Sequence, residues 1–155
     1  MLNLKLSLPN SQALPTFVVV MGDDFVLPRT GSPEDPIRVA VMISGGGSGL
    51  AALLQYQEIP RTHQTTLVIA DKEDSGGLQH GIHAGVPSLG IPLPMKVEAK
   101  ERRIAHERLV HAALEEHDIE LVVLSGYMRI LTPWFVRQWK GRLVNIHPSL
   151  LPDFP

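Results

Sequence analysis

The sequence contains no cysteine, so neither a disulfide nor a thiolate metal site is open to it. A cysteine-free chain fits a cytoplasmic setting. No apolar run approaches the ~18 residues that would cross a bilayer as a helix. The N-terminal apolar residues are interrupted by Asn3, Lys5 and Ser7, which makes a poor signal peptide. No basic block occurs and the formal net charge is −2, so nucleic acid is disfavoured as the main partner. What is present is 155 residues with 44% hydrophobic side chains, enough core for one domain.

Residues 1–36 stand apart as an extension and linker. Leu2, Leu4, Leu6 and Leu8 alternate with polar residues, and 17–21 (FVVVM) is a second short apolar run. Pro9, Pro15, Pro28, Pro33 and Pro36 punctuate them, so an accessory hairpin or loosely packed arm is expected, with SPEDP at 32–36 as the linker. From Ile37 the pattern sharpens. IRVAVMI at 37–43 predicts a strand, SGGGSG at 44–49 a glycine loop, and 50–57 a helix with Leu50, Leu53 and Leu54 on one face. TTLVIA at 65–70 predicts a second strand, 71–76 a polar turn, and 77–84 a short helix closed by Gly85. A short strand is expected within 86–93. Residues 99–117 predict a long helix with Ile104, Leu109, Val110, Ala113 and Leu114 as its apolar stripe. The runs at 121–124 and 143–146 are Val/Leu-rich, as strands covered on both faces are. This alternation predicts an α/β domain over 37–155, with a doubly wound, mainly parallel sheet.

A glycine loop between a strand and a helix places bare backbone N–H groups at a helix N-terminus, which suits a phosphate. Gly47, Ser48 and Gly49 are the expected contacts. A Walker loop would need a Lys that is absent here. The dinucleotide fingerprint G-x-G-x-x-G is met by Gly45 and Gly47, but Leu50 stands at its third position. Asp71 lies near the expected ~20 residues on, so NAD binding stays open as an alternative. Ligands of open α/β sheets bind beyond the carboxyl ends of the strands. Arg129 follows the 121–124 strand there, and Asn145 and His147 end the next one. Two residues apart on a strand, they point the same way. They offer an amide donor and a group that titrates near neutrality, a plausible acid–base pair for acyl or formyl transfer. The other histidines (His63, His80, His83, His106, His111 and His117) are read as surface or packing residues, with no metal site among them.

Four stretches carry a family resemblance: VMISGGGSGLAALL, IADKEDSGGLQHGIHAGVP, the spacing from Arg103 to LVVLSGYMRIL, and RLVNIHPSLLP. Residues 37–155 resemble the N-terminal part of the phosphoribosylglycinamide formyltransferases, folate-dependent enzymes of purine (IMP) biosynthesis with a Rossmann-like fold. The resemblance implies formyl transfer from 10-formyltetrahydrofolate, as co-substrate and without a metal, to the amine of 5′-phosphoribosylglycinamide. It implies that Gly47, Ser48 and Gly49 hold the substrate phosphate. Arg103, Met128, Arg129, Ile130 and Leu131 would line the folate pocket, with the backbone of 129–131 meeting the pterin. Asn145 would orient the formyl group beside the folate, and His147 would transfer the proton. Alternatives are another folate-dependent formyltransferase or hydrolase, such as the methionyl-tRNA formyltransferases that share HxSLLP, or an inactive phosphate-binding module.

Two departures from the family pattern stand out. Gly49 and Gly46 occupy positions where the family favours Asn. Members also continue past the point reached by Pro155, with an Asp in a DxGP element that orients the histidine, further strands and a terminal helix. The expectation is therefore a domain truncated at its C-terminus or completed by a second chain, with an uncovered sheet open to self-association.

Overall fold

The computed structural model describes residues 25–146. Five strands, β1 (Ile37–Ile43), β2 (His63–Ala70), β3 (Ser88–Gly90), β4 (Leu121–Ser125) and β5 (Leu143–Ile146), form one sheet in the order β3-β2-β1-β4-β5. Every pairing is parallel. The helices are α1 (Ser48–Tyr56), α2 (Leu78–His83), α3 (Arg102–Glu116) and α4 (Pro133–Gln138). Chain order runs outward from β1 to β3, then returns through α3 to β4 on the other side of β1. That reversal makes the β1/β4 boundary the topological switch point.

Period-2 alternation along the central strands feeds two cores. Ala40, Met42, Leu67, Ile69, Val122 and Leu124 face α3 and α4, where Val110, Leu114, Phe135 and Trp139 cover them. Val39, Val41, Ile43, Val68, Ala70 and Val123 face α1 and α2, under Leu50 and Leu78. Leu53 and Leu54 pack against this second cluster as the sequence pattern required. β1 carries no exposed residue, which is why its run contains no polar alternation beyond Arg38.

Several expectations need correction. Leu109 is 50% exposed and not part of the α3 stripe; α3 buries His106 and Glu107 instead. The 143–146 run is an edge strand and not a doubly covered one, with Val144, Asn145 and Ile146 exposed. The helix pattern stops at β5, so nothing described covers its outer face. α4 was not expected from the sequence. Its signal is local: Thr132 caps it by accepting from the Phe135 amide, and Pro133 occupies its first turn.

The alternating leucines and the 17–21 run lie outside the described residues. The rest of the arm is not loose. Residues 25–36 run along the amino ends of the strands. Val26 N donates to Lys140 O at 3.1 Å, and Arg29 pairs with Asp35 at 2.8 Å and Glu120 at 2.7 Å. The 32–36 stretch is a tight turn closed by Ser32 and Asp35 in both directions, at 3.0 and 3.2 Å.

Candidate active site

The glycine loop leaves the carboxyl end of β1 and enters α1 directly. Gly47 takes a left-handed conformation, φ 69° and ψ 33°, at the N-cap. A Cβ there would lie 3.0 Å from the Gly77 Cα, so the position favours glycine on two counts. The loop's carbonyls are turned back onto the start of α2. Gly45 O accepts from Ser75 Oγ at 2.9 Å and Gly77 N at 3.0 Å, and Gly46 O accepts from His80 Nε2 at 3.0 Å. In a trans peptide the N–H points opposite to the C=O. The Gly46 and Gly47 amides therefore point away from that segment. The first amides of α1 also lack intrahelical acceptors. Ser48 and Gly49 are exposed. The predicted phosphate contacts thus meet at one helix N-terminus, the partially positive end of its dipole, beside the switch point.

The 126–132 loop follows β4 across the same rim. Ser44 Oγ, at the end of β1, accepts from Met128 N at 2.8 Å. Arg129 Nε lies 2.7 Å from Asp71 Oδ2 at the end of β2. The Arg129 N–H is not aligned along that contact, and Asp71 Oδ1 has no hydrogen-bond partner among the described residues. The pair is held by charge at close range. The loop's outer side presents Met128, 82% exposed, and Ile130, 75% exposed, whereas Leu131 turns inward onto the α3-side core.

Asn145 sits in register with Leu124 of β4, which pairs with Met42 of β1. Two inter-strand spacings put it about 10 Å from the β1 backbone. It shares the face of Leu143 and Leu124, the α3 side, and is exposed. His147 lies outside the described residues. Arg103 is exposed in the first turn of α3, while its neighbour Arg102 is committed to Val97 O at 2.8 Å and Met95 O at 3.2 Å. The structure therefore groups the glycine loop, the 126–132 loop and the end of β5 along one rim.

Beneath that rim lies a polar layer that sequence reasoning missed. His106 Nε2 donates to Ile91 O at 2.7 Å. Burial pushes its imidazole below the usual value and the Arg129 charge adds to this, against the opposing Ile91 hydrogen bond. Burial pushes the Tyr127 phenol up, reinforced by Asp71, so it stays neutral. Glu107 accepts from Thr132 N at 2.6 Å and from the Thr132 hydroxyl. His111 Nδ1 accepts from Trp139 Nε1 at 3.2 Å. Polar residues on a helix face otherwise packed to the core are the one sequence signal that marks His106 and Glu107.

The dinucleotide alternative loses its supports. Asp71 is 4% exposed and faces Arg129, so it is not presented to a ribose. Leu50, where the fingerprint needs glycine for close helix–strand packing, is fully buried core. A groove of about 500 Å³ between α1 and α2, lined by Ala51, Leu54, Thr65 and His83 among others, lies on the flank of the sheet and not at the strand ends. The site is placed at the rim because the backbone donors converge there. Among the described residues no three His, Cys, Asp or Glu side chains group as a metal site would require, and no helix is long and apolar enough to cross a membrane.

Residues 37–155 match the family described as formyl transferase. The chain belongs to the formyl transferase family. It is 41% identical over 118 residues to the human trifunctional purine biosynthetic protein adenosine-3, covering 76% of this chain and 11% of that protein. It is 36% identical over 120 residues to the phosphoribosylglycinamide formyltransferase of Escherichia coli, covering 77% of this chain and 55% of that one. Among solved structures, the Brucella melitensis phosphoribosylglycinamide formyltransferase superposes with a TM-score of 0.71 at 38% identity, over 78% of this chain and 62% of that chain. The chain thus spans about a tenth of the human relative and about half of the bacterial one. Within the matched region, the parallel sheet sets the glycine loop at its rim. The match begins at Ile37, so the 25–36 strap lies outside the family region.

Proposed function

We propose that this rim transfers a formyl group from 10-formyltetrahydrofolate to the amine of 5′-phosphoribosylglycinamide. The observation that carries the reading is the glycine loop. Its carbonyls are bonded backward, its amides face outward, and it abuts the 126–132 loop at the switch point. Similarity to the human and E. coli proteins supplies the substrate class.

Gly47, Ser48 and Gly49 hold the phosphate. Arg103, Met128 and Ile130 line the folate side, and Leu131, whose side chain packs on the core, contributes through its backbone. The Arg129 side chain is occupied by Asp71, so Arg129 contributes through its backbone. The amine nitrogen attacks the formyl carbon, and the carbonyl oxygen gains negative charge. Asn145 donates to that oxygen. The adduct collapses as the carbon–N10 bond breaks. The amine loses a proton and the folate nitrogen gains one, with His147 as the relay. The products are the formyl amide and tetrahydrofolate.

Titration with phosphoribosylglycinamide tests the loop. The wild-type chain binds it, and Gly47→Val weakens binding by at least about tenfold, because a β-branched residue is strained at positive φ. Equal affinity in both would overturn the phosphate assignment.

A further inference from the structure

We propose that Glu107 is a positioning residue. It fixes the course of the 126–132 loop, and through it the ligand-facing backbone of Arg129, Ile130 and Leu131. The identity of the ligand rests on the formyl-transfer reading; the anchoring does not.

The loop faces a physical difficulty. Two of its side chains, Met128 and Ile130, are 82% and 75% exposed. Tyr127 and Leu131 pack on the α3-side core and seat the loop, but the exposed 128–130 stretch between them relies on polar tethers for its course. On the β4 side, Ser44 holds the Met128 amide and Asp71 holds the Arg129 side chain. On the far side the tether is Glu107. Its side chain is carried by α3, a 15-residue helix packed on the sheet, and the residue is 2% exposed. Both carboxylate oxygens go to one residue, Thr132: Oε1 to its amide at 2.6 Å, and Oε2 to its hydroxyl. The same hydroxyl oxygen accepts from Phe135 N at 3.4 Å and caps α4. A hydroxyl has one proton to give and lone pairs to accept with, so this arrangement fixes its orientation. One carboxylate thereby sets both the end of the loop and the start of the next helix.

A buried carboxylate carries a large desolvation cost. An apolar side chain of similar volume would pack this face of α3 with less cost. What it could not do is bind Thr132 at two points. The fork geometry is what the charge contributes, and geometry matters most where backbone groups must meet a planar heterocycle.

The test uses the full chain and two readouts. Glu107→Gln preserves volume but replaces one acceptor with a donor. Thr132→Val removes the hydroxyl alone and guards against a folding defect in the first variant. Thr132→Ser keeps both donors and should match wild type. In Glu107→Gln and Thr132→Val, amide hydrogen exchange at residues 128–132 should speed up by about tenfold, with no change at 45–49. Affinity for 5-formyltetrahydrofolate, a stable reduced folate, should fall by about fivefold to tenfold, while that for phosphoribosylglycinamide stays within about twofold. Unchanged exchange at 128–132 in both variants overturns the proposal. So does an equal loss of affinity for the two ligands, which would indicate general loosening. A wild-type chain that binds no folate, with the loop still loosened by Glu107→Gln, would count against formyl transfer and support the anchoring.

Discussion

Gly47 illustrates how a single backbone conformation shapes the glycine loop. Its positive φ lets the chain turn from β1 into α1 within the loop. Gly47→Ala is expected to cost about 1–2 kcal/mol in denaturant unfolding, since a left-handed conformation penalises any Cβ. The pH response should come from two other residues. Burial alone would raise the Glu120 carboxyl, but the Arg38 amide and the Arg29 and Arg38 guanidinium groups outweigh it and hold it below the usual range. A carboxyl depressed in the folded state contributes stability above its unfolded pKa and loses it as pH falls through the folded one. His106 adds to the acid loss in a higher window. Its folded pKa is depressed by burial, so the unfolded chain takes up the proton first as pH drops below the ordinary histidine range. Unfolding midpoints measured against pH should fall in two stages. Glu120→Gln should flatten the lower stage and His106→Gln the upper; a variant profile parallel to wild type would refute that assignment.

At the scale of elements, α4 and β5 are the least conventional parts. Trp139, just after α4, is fully buried against the α3-side core, and its indole N–H reaches His111. Trp139→Ala should cost about 3–5 kcal/mol through the cavity it leaves, read as a drop in unfolding midpoint. These two elements also show where sequence reasoning stops. β1, β2 and β4 were legible because both of their faces are covered, and a run such as VAVMI at 39–43 has no other use. The glycine loop was legible because its composition and its place after a strand agree. β5 was misjudged because Val144 and Ile146 are apolar whether or not anything covers them. α4 hid because six residues give too few turns for a periodic signal, leaving only its Thr-Pro start. The Asp71–Arg129 and Glu107–Thr132 contacts join residues far apart in the chain. No local pattern announces such a pair; it exists only once the sheet order has placed the strand ends together.

For the whole molecule, the two ends of the strands differ in what they carry. The carboxyl edge carries the candidate site, and the amino edge carries the 25–36 strap. Gly141, at φ 87°, leaves room for Val26 O, which a Cβ would approach to 2.6 Å. Gly141→Ala should therefore lift the strap and destabilise the fold by at least about 1 kcal/mol, with faster proteolytic cleavage within 25–36 and little change in ligand affinity. The strap joins the starts of β1, β4 and β5, so it braces the scaffold from the side opposite the candidate site. Formyl transfer at this rim is a direct kinetic question. It is tested most directly by following formylation of phosphoribosylglycinamide by 10-formyltetrahydrofolate with the wild-type chain, Asn145→Ala and His147→Ala. Product should form with wild type, and its rate should fall by about a hundredfold or more in each variant. Equal rates in all three, or no transfer by the wild-type chain, would contradict it.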